Sequence, residues 1–341
     1  MGVVRTDESR RAEIEEFRRM LLSCSGVVLK VRSEEFNRRR VSAGNGNEYA
    51  VDQKLVCVTS GVSFLGIAIV KQLLLRGYAV RIIVDNEEDI ERLRESETSG
   101  EMEGTSRFAS HNLIGVVVAK FNEQRSLMEA FDGCCTVFHT TAFIDPSGFS
   151  GYSKCMAEIE AKAAENIAEA CAATASVRNY VFTSSLLTCI WRDTSNNTLP
   201  PVVDHNSWSD ESFCNGKKLW YALGKLKAER ASWRIAEEKG LKLATICSDM
   251  YEYGLLASVE VDKLAEAHVQ VHEEMKKSSG GRYVCFDKVV RRPEEVERLE
   301  AETGVHINTD TVSTVVGFRF ELSNRKLDRL MSQVHRCNID V

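Results

Sequence analysis

From residue 55 onward, short apolar runs alternate with longer stretches of helical period. "LVCV" (55–58) has four apolar residues in a row and reads as a short buried strand. "FLGIAIVKQLLLRG" follows it and predicts a helix ended by Gly77. "AVRIIV" is a second strand, stopped by "DNEED"; "IGVVVA" (114–119) is a third, with a helix in "SLMEAFDGC" after it. "TVFHTTA", "NYVFTSS" and "LKLATIC" (241–247) are the fourth, fifth and sixth. The long pattern "CMAEIEAKAAENIAEACAA" and the segment around 220–239 supply helices between them, and "LASVEVDKLAEAHV" reads as a further strand and helix. Strands that are apolar on both faces and alternate with helices belong in a parallel sheet covered on two sides. The predicted fold is therefore α/β: a doubly wound, Rossmann-type sheet over about 55–250, with a smaller substrate-side region over 251–341. Residues 1–54 form a preamble, with a short amphipathic helix at 8–22 (Ile14, Phe17 and Leu21 on one face) and a linker at 42–53.

Composition narrows this picture. The chain has 341 residues, 43% hydrophobic and 28% charged, as in a globular protein with a full core. A formal charge of -6 argues against general nucleic-acid binding. The longest apolar runs are too short to span a bilayer. Eleven cysteines carry no CxxC pair and no zinc spacing, which predicts reduced thiols and a cytoplasmic setting. Met1-Gly2 with Thr6 fits the loose myristoylation pattern, which fixes few positions.

Chemistry enters at the first strand–helix junction, "TSGVSFLG" (Thr59 to Gly66). A phosphate loop here needs one glycine for a tight turn, a second for close approach of the pyrophosphate and a third for helix–strand packing. Gly66 keeps the third role, while Ser60 and Ser63 stand in the first two. A serine at positive φ costs about 1–2 kcal/mol, which a loop can bear. The Ser63 hydroxyl could donate to a phosphate. The candidate dinucleotide contacts are Thr59, Ser60, Gly61, Ser63, Phe64 and Leu65, and a plain strand-turn-helix stands as the alternative. Asp85 closes the second strand 19 residues after Gly66, where a carboxylate accepts from a ribose 2′-hydroxyl and repels a 2′-phosphate. That favours NAD(H). Arg81, four residues earlier, is poorly placed to act in its stead.

One tyrosine, Tyr221, has a lysine four residues on, Lys225, in a helical segment where both share a face. An adjacent ammonium favours the phenolate and makes Tyr221 a usable proton donor. "YSK" at Tyr152 lacks this spacing and reads as a decoy. The fifth strand ends in Ser184 and Ser185, where a hydroxyl can polarise a carbonyl. His139 and His268 read as packed structural histidines, Trp208 and Trp220 as core anchors, and Cys134 and Cys135 as buried thiols.

Taken in order, "VCVTSGVSFLG", "EAFDGCCTVFHTTA", "NYVFTSSL", "VVDHNSWSDESFC", "LWYALGKLKAE" and "GRYVCFD" resemble successive motifs of the plant cinnamoyl-CoA reductase-like family, extended short-chain dehydrogenases that include dihydroflavonol reductases. The resemblance covers about 55–341. It implies Ser185, Tyr221 and Lys225 as catalytic residues, with Lys225 also on the nicotinamide ribose. It implies Thr140, Thr141 and Ala142 beside the cofactor, and NADPH as that cofactor, against the NADH that Asp85 favours. The implied reaction is reduction of a hydroxycinnamoyl thioester, or a related aromatic ketone or aldehyde, in phenylpropanoid (lignin or defence) metabolism. The chain departs from the family at Leu219, Ala222 and Leu223 around the tyrosine, at Lys120 where an aspartate is expected, and at Asp85 where an arginine is usual. After Cys247 the family runs into a Pro-Gly turn and a long substrate stretch, whereas this chain passes at once to "MYEYGLLASVEV". Two classes therefore stand: a reductase, supported by the intact trio, and a catalytically inactive nucleotide-sensing or interaction protein, supported by the departures. No protein partner for the N-terminal helix can be assigned.

Overall fold

A computed structural model describes residues 55–61, 63–84, 113–140, 152–192, 202–248, 250–252, 255–290, 294 and 320–337. The expected helix at 8–22, the linker at 42–53, the myristoylation pattern, Asp85, Thr141 and Ala142 lie outside these residues.

Seven parallel strands form the central sheet: β1 (Leu55–Thr59), β2 (Ala79–Val84), β3 (Leu113–Val118), β4 (Thr136–His139), β5 (Asn179–Ser185), β7 (Lys242–Ser248) and β10 (Gly280–Cys285). Their order is β3-β2-β1-β4-β5-β7-β10, so the winding reverses between β1 and β4. Helices cover both faces: α1 (Phe64–Leu75) and α7 (Val261–Glu274) on one, α2 (Gln124–Phe131), α3 (Lys154–Ala173) and α6 (Trp220–Lys239) on the other. Strand alternation feeds both cores. Val56 and Val58 join the cluster under α1 and α7, while Leu55 and Cys57 join the one under α2, α3 and α6.

A third apolar cluster forms beyond the carboxyl end of the sheet. It holds Leu186 to Trp191 around the short helix α4 (Leu187–Ile190), Cys214 of α5 (Glu211–Gly216), and Leu219, Ala222 and Leu223. The three departures around the tyrosine are thus packing residues of this cluster. Two small sheets complete the fold. One pairs β6 (Val202–Val203) with β12 (Glu321–Leu322), which precedes α8 (Arg325–Cys337). The other is β8 (Met250–Glu252), β9 (Leu255–Ser258) and β11 (Lys288–Val290), all antiparallel. β8 begins at Met250, two residues after β7 ends at Ser248.

The boundary expected at 250 needs correction as a division of structure. α7 and β10 lie after it, yet they cover and extend the central sheet, with β10 paired to β7 from Gly280↔Leu243 to Cys285↔Ser248. No helix among the described residues is long and apolar enough to cross a membrane.

Candidate active site

The β1–α1 junction carries serines in two positions where a phosphate loop would have glycine. Ser60 takes the left-handed conformation, φ 49°, at the place where the first glycine is expected. Its N–H donates to the Ile83 carbonyl (2.7 Å), and its own carbonyl accepts from Ser63 N–H (2.8 Å), which closes the turn. Ser63 is extended, φ -73°, and needs no positive φ. Its Oγ accepts from the N–H of Gly66 (3.1 Å) and so caps α1. A hydroxyl that accepts one bond still has a proton to donate outward. Gly66 cannot be replaced cheaply: a Cβ there would lie 2.2 Å from the Ser60 carbonyl oxygen and 2.7 Å from the Gly61 Cα. A Cβ on Gly61 would meet Ile82 at 2.8 Å. Phe64 and Leu65 pack against the α1-side core. A tight turn, a helix N-terminus and a backbone pressed against the helix fit a dinucleotide pyrophosphate.

The neighbouring strand end is tied to this loop across the switch point. Thr59 pairs in register with His139, and its Oγ1 lies 2.9 Å from His139 Nδ1. The Thr140 N–H donates to Thr59 Oγ1 (3.3 Å), and its hydroxyl donates to the Thr59 carbonyl (2.7 Å). His139 stacks on Phe182 with ring centroids 5.3 Å apart, and burial, then the charge of Lys225, pushes it down to about 3. It is a neutral packed ring. His268 is likewise packed, its ring nitrogens 2.7 Å from Thr183 Oγ1 and from the Leu264 carbonyl.

The two serines at the end of β5 separate cleanly. Ser184 donates to Glu229 Oε2 (2.7 Å) and belongs to a buried polar cluster under α6. Ser185, the next residue, takes the other side of the strand. Its Oγ accepts from Leu187 N–H (3.2 Å), and its carbonyl accepts from Thr188 (2.8 Å). Glu229 is fully buried and also accepts from Thr245 and Thr188 (2.7 Å each) and from Arg282 Nε (2.8 Å). Burial would raise its carboxyl, but Arg282 and these donors hold it below the usual range. The Arg282 guanidinium stacks 3.8 Å from the Trp208 ring centre, so half-buried Trp208 packs on a cation rather than in an apolar core.

Tyr221 and Lys225 occupy the first turns of α6. Lys225 Nζ lies 5.8 Å from the centre of the Tyr221 ring, and Tyr221 packs on the third apolar cluster, which starts directly after Ser185. Lys225 is buried, and its Nζ forms an ion pair with Glu160 Oε1 on α3 at 2.6 Å. Burial alone would lower the lysine, but Glu160 and Tyr221 beside it raise it above the usual range. The Tyr152 hydroxyl donates to the second oxygen of Glu160. The Tyr152 ring meets Tyr221 edge-on, centroids 5.1 Å apart at 86°. Gly224 makes this approach possible, since a Cβ there would lie 2.9 Å from both the Ala157 Cα and the Tyr152 hydroxyl.

Glu160 and Tyr152 are the residues that sequence reasoning missed. Lys154 does face elsewhere, 4.0 Å from Glu158 on the surface, but Tyr152 itself lies against Tyr221. A signal for Glu160 existed: the buried stripe of α3 runs Ala157, Glu160, Ala163, Ala164, Ile167, with one carboxylate in an otherwise apolar register. Two other residues resolve simply. Arg81 donates to the carbonyls of Ala130 (2.6 Å) and Asp132 (2.8 Å), tying β2 to the end of α2. Lys120 is exposed and pairs with Glu123 at 3.6 Å.

A seven-stranded parallel sheet with a phosphate-type loop on β1, Ser185 on β5 and the Tyr221/Lys225 pair on α6 defines a class: the NAD(P)-dependent reductases of the extended short-chain dehydrogenase type. The sequence profile of the 3-beta hydroxysteroid dehydrogenase/isomerase family matches residues 57–231. Cinnamoyl-CoA reductase 1 of Petunia hybrida is 33% identical over 281 residues, covering 73% of this chain and 78% of its own. The crystal structure of vestitone reductase from alfalfa superposes with a TM-score of 0.57 at 25% identity, covering 81% of this chain and 91% of that one. Yeast methylglyoxal/isovaleraldehyde reductase Gre2, complexed with NADPH, shares the fold at 16% identity, with a TM-score of 0.58 and coverage of 82% and 93%. This chain belongs to the cinnamoyl-CoA reductase-like group of the extended short-chain dehydrogenase/reductase family.

Proposed function

We propose that this protein is an NADPH-dependent reductase of a phenylpropanoid-type thioester, ketone or aldehyde, working in the cytoplasm in lignin or defence metabolism. The observation that carries the reading is the buried Lys225 ammonium, 5.8 Å from the Tyr221 ring at the carboxyl edge of the sheet. When bound, the nicotinamide supplies hydride to the carbonyl carbon. Ser185 donates a hydrogen bond to the carbonyl oxygen as charge develops there. Tyr221 gives its phenolic proton to that oxygen, and Lys225 stabilises the phenolate left behind. A thioester reduced this way gives a hemithioacetal, which expels the thiol and leaves the aldehyde. Thr59, Ser60, Gly61, Ser63, Phe64 and Leu65 hold the pyrophosphate end, with Thr140, Thr141 and Ala142 beside the cofactor. Asp85 is the residue that argues for NADH.

A second reading, a nucleotide-sensing or interaction protein without turnover, is favoured by the altered loop, in which Ser60 takes the left-handed conformation of an expected glycine, φ 49°. Thermal shift with NADPH and with NADH, followed by turnover on cinnamoyl-CoA and cinnamaldehydes, separates the two. We expect stabilisation by NADPH, turnover, and a loss of about 10²-fold or more in Tyr221→Phe. Stabilisation without turnover selects the second reading. No stabilisation by either nucleotide overturns the reductase and nucleotide-sensing readings and leaves an interaction protein, and a preference for NADH reassigns the cofactor through Asp85.

A further inference from the structure

The site contains a charge that a tyrosine–lysine pair does not require. Glu160 reaches Lys225 from α3, through a contact that Gly224 permits, and its second oxygen is occupied by Tyr152. Both members of the ion pair are buried, with side chains 5% and 4% exposed. Burying a carboxylate is costly unless it is paired, so the pair is a built feature of the site.

We infer that Glu160 is a positioning residue that acts through Lys225, holding the proton inventory of the Tyr221/Lys225 pair constant across the working pH range. With Glu160 ionised, the trio of phenol, ammonium and carboxylate is neutral overall. Removing a proton from it leaves a net negative charge in a buried place. With Glu160 gone, the remaining phenol and ammonium carry a net positive charge, and losing one proton relieves it. Whether the proton leaves the phenol or the ammonium, it leaves at lower pH; the two groups titrate as one unit. In a reduction that depends on a protonated Tyr221, Glu160 therefore extends the active range toward alkaline pH. That consequence rests on the reductase reading, but the proton inventory itself does not.

The following groups face the pair among the described residues. Tyr152 faces it from the segment before α3, Glu160 from α3, and Tyr221 and Lys225 from α6. His139 on β4 senses Lys225 but stays neutral. The charged pairs Lys154–Glu158, Lys162–Glu165 and Arg125–Glu129 on α3 and α2 lie toward solvent.

The test uses the full chain labelled with ¹³C at tyrosine Cζ and lysine Cε, without nucleotide, with signals assigned through Tyr221→Phe and Lys225→Met. In Glu160→Gln, the first proton should leave the pair at a pH lower than in wild type by about one unit or more, the effect of one nearby charge. Glu160→Ala should move it in the same direction. An unmoved first step overturns the inference. If turnover is present, the alkaline limb of kcat/KM for reduction should move down in Glu160→Gln by the same amount. Turnover with an unmoved first step defeats the inference alone. A moved first step without turnover defeats only the reductase reading.

Discussion

Mild acid should destabilise this protein, and three buried histidines set the size of the effect. His139, His268 and His272 are each nearly inaccessible to water. Burial first, and then Lys225 for His139 and Lys276 for His272, pushes them down to about 3, 4 and 3 respectively. In the unfolded chain each titrates near 6.5. Between these values the unfolded state binds more protons than the folded one, so stability falls as pH falls. At pH 5.5 each histidine is still neutral when folded but mostly protonated when unfolded, a cost of about 1.4 kcal/mol apiece and roughly 4 kcal/mol together. Glu229 works in a lower window, because its stabilisation is present above the ordinary carboxylate range and lost only as pH falls below it. Set against a typical stability of about 5–15 kcal/mol, the histidine loss is large. The assay is urea denaturation at fixed ionic strength at pH 7.5 and 5.5. His272→Gln should remove about a third of the difference, since the ring makes one long polar contact to Thr136 (3.3 Å) and its Nε2 has no hydrogen-bond partner among the described residues. A loss under about 1 kcal/mol between the two pH values would show that the buried rings are protonated in the fold, and the argument would fail.

Two further substitutions test the frame. Gly66→Ala places a methyl 2.2 Å from the Ser60 carbonyl, so the loop must shift; we expect about 1–3 kcal/mol of destabilisation and loss of most of the thermal shift from NADPH, and an unchanged melting temperature and shift would refute the packing role. Glu229→Ala leaves the Arg282 guanidinium buried without its carboxylate and should cost about 3–5 kcal/mol in urea denaturation, whereas a cost below 1 kcal/mol would mean that water reaches Arg282.

Much of the fold was legible because the winding is local. Each of β1, β3, β4 and β5 is an apolar run followed by its own helix, and Gly77 and Gly240 end their helices in the left-handed conformation at φ 75° and 70°. Ser60 could be assigned its strained φ from the loop's geometry alone. Ser63 was expected to serve the phosphates, and its oxygen also caps α1, which the sequence signals only as a serine before a helix. The trio on β5 and α6 could be named, but not what surrounds it. Glu160 meets Lys225 across 65 residues of chain, and that meeting depends on Gly224, whose role appears only when two helices touch. The seventh strand was passed over for a related reason. "GRYVC" is short, opens with two glycines and carries an arginine, so it reads poorly as a buried strand until Glu229 is placed beneath it.

That pairing constrains how the chain comes off the ribosome. Glu229 is made 53 residues before Arg282, on the helix that must close over β5 and β7. Until Arg282 emerges, closing that helix would trap a carboxylate with no cation, so the growing chain has reason to stay open past β7. The last strand then acts as the closing piece, and a product that stops short of residue 280 would be a substrate for quality control rather than a smaller working enzyme.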